Sequence, residues 1–410
     1  MSQTTPAALA RSMPRFAEFV AMMAALMALT ALSIDVMLPA LPEMRADFGL
    51  EDPNLQQLVI TVYVLGFALG QLFHGPLSDG FGRKPVLLVG LGVYAVASFA
   101  CLAAGGFSVL LVARFLQGLA NAAPRVVAIA VIRDVYGGRR MAEVMSFVMM
   151  VFIIVPVLAP TAGGAVLLFG SWHLIFGFLF VISLVFLVWM AVRLPETRLP
   201  ETRDPLSVTW LLTAFREAAT NRQTLGYTLA TGVIFGSLMG YINSAQQIFV
   251  EVYDTGPWFP VLFGCVAAAL ALASFFNSRF VGRIGMRRVS HGALIGFVAI
   301  ACLHIGIDLV AAPPPLPVFV LLLALDLLCF GLMMPNFNAI AMEPMGRIAG
   351  TASSFVGAVT TGLAAGLGLV VGQSYDGTVT PLLLGFAVFG SISLGIVLLT
   401  ERGRLFGTGH

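Results

Sequence analysis

Apolar runs long enough to cross a bilayer as helices recur from Phe19 almost to the C-terminus, separated by short clusters of charged, Pro and Gly residues. Segmenting at those clusters predicts twelve spans, at roughly 18–39, 55–77, 86–104, 107–132, 142–168, 172–192, 224–249, 259–278, 290–310, 316–340, 349–373 and 380–399. Backbone N–H and C=O groups find no water in the hydrocarbon core, so each span is a helix or part of a closed barrel. Continuous apolarity without period-two alternation selects the helix. The predicted fold class is an all-α integral membrane protein.

Polar positions between the spans set the topology. Of the 22 Lys and Arg, an N-terminus in the cytoplasm leaves only Arg45 outside, with Arg114 and Arg125 within a span; all the others become cytoplasmic. The positive-inside bias therefore places both termini in the cytoplasm. The longest cytoplasmic connection holds a tandem Leu-Pro-Glu-Thr-Arg from Leu194 to Arg203, read as a polar linker. It divides the chain into a six-helix half at 1–192, a linker at 193–223 and a second six-helix half at 224–410. The loop Asp79-Gly-Phe-Gly-Arg-Lys-Pro85 is echoed by Phe280-Val-Gly-Arg-Ile-Gly-Met-Arg-Arg288. Six plus six spans with both ends on one side are parallel repeats, and such proteins hold a substrate near the midplane where the halves meet.

Composition excludes other classes. The chain is 59% hydrophobic and 10% charged, with a mean hydropathy of +0.96, whereas soluble domains carry roughly 25% charged residues. Cys101, Cys265, Cys302 and Cys329 lie singly in apolar stretches, and the histidines form no ligand spacing, so neither disulfide nor metal is indicated. Absence of a phosphate-binding loop argues against an ATP-driven pump. No nucleophile stands at helical spacing from a base, which disfavours an intramembrane enzyme. Arg11 and Arg15 before the first apolar run imitate a signal peptide, but the run's length suits an uncleaved first span. No cofactor and no nucleic acid are expected; the partners are the bilayer, a small molecule and protons, and the chain is expected to be a monomer.

Ionisable residues inside spans are the informative ones, because each costs about 2.5–3.5 kcal/mol at a helix centre. Arg114, Gln117, Asn121 and Arg125 fall on one face of span four, within an arc of about 80°. The stripe is either a wet cavity wall or two arginines snorkelling to opposite surfaces with amides bonded to neighbours. Asp35 near the end of span one and Arg114 can meet at similar depth, as a proton-sensitive switch or as a permanent ion pair. Asp326, near the middle of span ten with no base one turn away, suits a proton carrier or a protonated hydrogen-bond donor. Phe330 and Met333 on its face suit an adaptable apolar wall, or plain packing. Asn243 and Gln246 of span seven add polar contacts from the second half.

Gly75-Pro-Leu-Ser-Asp79-Gly-Phe-Gly82-Arg83-Lys-Pro85 resembles the signature loop of the major facilitator superfamily. Arg114-Phe-Leu-Gln117-Gly118 is similar to its second motif, and Pro156-x-x-x-Pro160-x-x-Gly163-Gly164 resembles the third motif of its drug/proton antiporter branch, with Val155 where that branch has Gly. Asp35-x-x-Leu-Pro39-x-Leu-Pro42, Arg133-Asp134, Ser171-Trp172-His-x-Ile-Phe176 and Leu194-Pro-Glu-Thr197 together resemble the bicyclomycin/chloramphenicol-resistance exporters. The resemblance spans nearly the whole chain. It implies a cytoplasmic gate in which Gly75 and Gly82 shape the loop, Asp79 faces the start of span eleven and Arg83 reaches Asp134. It further implies that Arg114 relays protons with Asp35, and that Pro156, Pro160, Gly163 and Gly164 bend span five for close packing against the other half. It says nothing of Arg125 or Asp326.

The resulting expectation is proton-coupled export of small amphipathic molecules such as drugs across a bacterial inner membrane. A narrow-specificity metabolite or sugar exporter, using Arg125 for an anion, is the alternative. A transporter-shaped sensor that moves nothing is a more distant one.

Overall fold

The computed structural model describes residues 13–200, 203 and 208–407. Among the described residues, twelve helices are long and apolar enough to cross a membrane. In chain order the spans are Phe16–Asp35, Leu58–Phe81, Arg83–Leu102, Phe107–Val135, Gly138–Leu167, His173–Arg193, Arg222–Gln247, Phe259–Ile284, Met286–Val310, Leu316–Met342, Ala349–Gln373 and Thr380–Thr400. An even number of crossings brings both chain ends to the same end of the bundle; the opposite end is called the far end below.

Two elements depart from the expected pattern. Span one does not stop near residue 39: a 3-10 turn at Leu38–Ala40, which begins Leu-Pro, carries it into a further helix at Leu41–Asp47. The linker, read as polar chain, contains a helix at Val208–Thr220. Ala214 and Ala218 on one side of it pack with Met345, Ile348 and Ala352 beneath the second half. Residues 201–202 of the tandem repeat and 204–207 after it, together with Arg11, lie outside the described residues.

The repeat is visible in the packing. Span one packs on span five and span two on span four; span seven packs on span eleven and span eight on span ten. Gly82 (φ +105°) and Gly285 (φ +94°) occupy the same place before spans three and nine, in a region where a side chain is strained. Spans two and four lie backbone to backbone: a Cβ at Gly118 would run into the Tyr63 carbonyl, and one at Gly66 into the Phe115 carbonyl. The halves meet through span two against span eleven and span five against span eight. Val89, Val96, Val192, Leu309 and Leu399 stay exposed on the outer wall, where lipid is their solvent.

Candidate functional site

Span four positions the interior arginine. Arg114 is wholly buried. Its Nε donates to the Val59 carbonyl at 3.0 Å, Nη2 to the Ser33 carbonyl at 3.1 Å and Nη1 to Gln117 Oε1 at 2.5 Å. The guanidinium lies over the Tyr63 ring, 4.3 Å from its centroid. Gln117 passes the chain on to Ser98 of span three at 2.7 Å, and Asn121 donates to the Tyr63 hydroxyl at 2.5 Å. The polar stripe therefore faces protein. Gln117 and Asn121 are fully buried inside the first half, so they do not form an open cavity wall. The reason is geometric: that face of span four is occupied by spans one, two and three, whose carbonyls and hydroxyls take its donors.

The expected ion pair between Asp35 and Arg114 is not formed. Arg114 bonds the carbonyl of Ser33, two residues before Asp35, and its other two bonds go to Val59 and Gln117. Asp35 is buried with Oδ1 unpartnered. The Tyr241 hydroxyl of span seven, in the other half, is likewise unpartnered, and its ring stacks on Phe263 at 5.4 Å. Because span one continues to Asp47, Asp35 stands about 18 Å from its far end by helix rise, and so deeper than the place near the end of the span that was expected.

Asp326 is 1% exposed and neither oxygen has a partner. Phe330, one turn on, meets Phe235 of span seven with centroids 5.9 Å apart, and Met333 is fully buried. Along span seven the Ser237 hydroxyl, Asn243 Oδ1 and Gln246 Oε1 are also unpartnered, as is Thr360 of span eleven. Arg125 is only partly buried. Its guanidinium lies 5.5 Å from the Phe67 ring and 5.9 Å from the Phe152 ring, which is cation–π contact rather than a carboxylate.

At the far end the halves are joined by neutral amides. Gln57 donates to Gln247 Oε1 at 2.6 Å, Gln247 to Asn54 Oδ1 at 3.1 Å and Asn243 to Thr61 at 3.3 Å. Asn54 Nδ2 bonds the Tyr375 carbonyl at 2.8 Å and Gln373 returns to the Asn54 carbonyl at 2.7 Å. Tyr375 also donates to Glu251 at 3.3 Å; burial, and then the charge of Glu251, raise its phenol pKa, so it stays a donor. Nearer the chain ends, Gln71 donates to Thr361 at 3.1 Å and Gly75 abuts Ser354.

This clasp escaped the sequence reading except for Asn243. Its signal is nonetheless there: Gln57, Thr61, Ala68, Gln71 and Gly75 recur at steps that return to one face of span two. At the chain-end side Arg83, itself 1% exposed, bonds Asp134 at 2.9 Å, the contact that the resemblance implies, and also Asp79 at 2.7 Å. Asp79 stands near Gly350 at the start of span eleven, where the helix dipole favours an anion. Glu196 completes the gate by accepting the Arg83 and Lys84 amides at 2.9 and 3.1 Å. Arg287 after Gly285 repeats the arrangement, pairing with Glu343 at 3.0 Å and Glu401 at 3.2 Å.

Span five is a single helix containing Pro156 and Pro160. Gly163 does not serve the other half: a Cβ there would meet the Val36 carbonyl of span one, while Gly164 meets nothing. The close contact with the other half is instead Val157 against Gly264, a glycine supplied by span eight.

A two-halved helical bundle with buried polar groups between the halves is the architecture of a membrane transporter. The chain belongs to the major facilitator superfamily, whose family model matches residues 23–369. It is 32% identical to an uncharacterized MFS-type transporter of Bacillus subtilis, over 80% of this chain and 81% of that protein. With the bicyclomycin resistance protein homolog of Haemophilus influenzae it shares 30% identity, over 94% and 96% of the two chains. With multidrug resistance protein D of Escherichia coli it shares 27%, over 87% and 90%. Among solved structures, the peptide transporter POT in complex with sulfate superposes with a TM-score of 0.74 at 15% identity, covering 98% of both chains. The human organic anion transporter MFSD10 does so at 0.69 and 18%, covering 95% and 99%. These likenesses carry the fold. The relatives are transporters rather than enzymes, and a small-molecule cargo goes with the family.

Proposed function

We propose that the protein is a proton-driven exporter of small amphipathic molecules in a bacterial inner membrane, with both termini in the cytoplasm, acting as a monomer. The observation that carries this reading is the pair of interior carboxyls, Asp35 and Asp326, each buried with unpartnered oxygen while Arg114 is fully engaged by carbonyls and Gln117. A carboxyl in such a place is stable neutral and costly charged, so it exchanges a proton when its surroundings change. The names of the drug-resistance relatives support the cargo class, and the concentration of arginines at the chain-end side supports the orientation. No cofactor is needed; the proton gradient supplies the work.

Arg125 favours a second reading, a narrower cargo bearing an anionic group. A permanently charged guanidinium facing only aromatic rings retains free donors for a carboxylate. The test for both is transport by the reconstituted protein against a compound panel, with and without a pH gradient. Gradient-dependent flux of several unrelated amphipaths, abolished in Asp35→Asn, is the expected result. Flux of a single anionic metabolite selects the second reading; binding without counterflow of any compound refutes export and favours a sensor.

A further inference from the structure

Span nine carries His304 and Asp308 one turn apart, hence on one face. His304 is wholly buried, and neither ring nitrogen has a hydrogen-bond partner. Asp308 is also buried; its Oδ2 accepts from Thr380 of span twelve at 2.6 Å, whereas Oδ1 is unpartnered. The Thr380 bond ties spans nine and twelve and gives Asp308 a structural use. It does nothing for His304, whose two bare nitrogens are costly in a helix interface that Leu or Phe would fill better.

The His304 ring lies against Phe319, with centroids 5.3 Å apart. Phe319 opens the face of span ten that carries Asp326 seven residues later, about 10 Å along the helix. Both oxygens of Asp326 are unpartnered. Three titratable side chains thus descend from the far end toward the middle of the second half, and each keeps an open hydrogen-bonding atom. The groups packed around them are Phe249 and the Tyr253 phenol, which donates to the Pro314 carbonyl at 2.8 Å, with the Cys329 thiol near Asp326.

We propose that Asp308, His304 and Asp326 form a proton path from the far-end surface to the centre of span ten. This rests on the reading of the protein as a proton-driven exporter. A proton from the outer solution joins Asp308 Oδ1 and passes to one nitrogen of His304, which becomes an imidazolium. The proton on the other nitrogen leaves through bridging water, about three hydrogen-bonded steps of ~3 Å, and binds Asp326. One proton enters and one leaves, and the ring returns to the neutral form with its tautomer exchanged. Imidazole suits this place because its two nitrogens accept and donate on opposite sides.

The experiment follows hydrogen–deuterium exchange of the Asp326 carboxyl by infrared spectroscopy on the protein in lipid, its band assigned by difference against Asp326→Asn. Exchange is expected to slow at least tenfold in His304→Phe and in Asp308→Asn. His304→Gln, which keeps size and polarity but carries no proton, should slow it equally and stands in if the Phe variant does not fold. Substrate counterflow at equal pH, which needs no net proton movement, should stay at the wild-type rate. Unchanged exchange in the His304 variants overturns the path even where flux is gradient-driven. Slowed exchange in a protein whose flux ignores the gradient leaves the path standing and removes the exporter reading.

Discussion

Gln57→Leu should loosen the far end of the transporter. Gln57 is fully buried and donates to Gln247 Oε1 at 2.6 Å, with Gln373 Nε2 3.5 Å from its own oxygen. The substitution removes the Gln57 donor and leaves Gln247 Oε1 buried without it, a loss of about 1–3 kcal/mol. Gln247 keeps its bond to Asn54 at 3.1 Å, so the clasp weakens but is not abolished. If that energy is felt only when the far end is closed, the closed-to-open ratio falls by about 5–150-fold. The measurement is labelling of Val64→Cys, buried on span two one turn below Thr61, by an impermeant maleimide from the far-end side, in a background with the four native cysteines replaced. Labelling should rise by at least about fivefold. The double variant Gln57→Leu/Gln247→Leu should label at least as strongly as the single one, since it also removes the Gln247 donor from buried Asn54 Oδ1. Equal labelling in wild type and Gln57→Leu would show that the amides do not hold this end shut.

Two further outcomes are expected. Gly118→Val should lower the thermal stability of the purified protein by an amount equivalent to about 1–3 kcal/mol or prevent folding, because its Cβ meets the Tyr63 carbonyl; an unshifted melting temperature contradicts the close approach of spans two and four. Arg125→Ala should leave the yield of folded protein unchanged and weaken binding of anionic members of the compound panel more than neutral ones, as read by equilibrium binding. An identical profile would make the guanidinium a packing group for Phe67 and Phe152.

The spans were legible in the sequence because lipid imposes a single requirement, an apolar helix of fixed minimum length, on every one of them. Span eleven was expected at 349–373 and is found at Ala349–Gln373. The linker helix was missed because its apolar side is completed by Met345, Ile348 and Ala352, far away in sequence, and its own residues read as a mixed polar segment. The loop residues Asp79 and Arg83, with Asp134, could be read from the resemblance of their motif, although that resemblance did not give the Arg83–Asp79 pair itself. The partners of Arg114 could not, since two of its three are backbone carbonyls, and a carbonyl leaves no trace in residue identity. Asp35 was paired with Arg114 on their similar depth and on the resemblance, for want of that information. The same blindness hid His304, whose neighbour Phe319 is set by the packing of spans nine and ten.

The backbone contact between spans two and four reaches further than their own stability. Span two carries the amides of the far-end clasp and the glycine at the other gate, while span four carries Arg114, and Arg114 is itself bonded to Val59 of span two. With no side-chain layer between them, the two helices have no cushion in which relative sliding can be absorbed. The two helices are therefore held as one body that reaches from the far-end clasp to the chain-end loop, with the buried Arg114 beside the clasp, bonded two residues from Gln57.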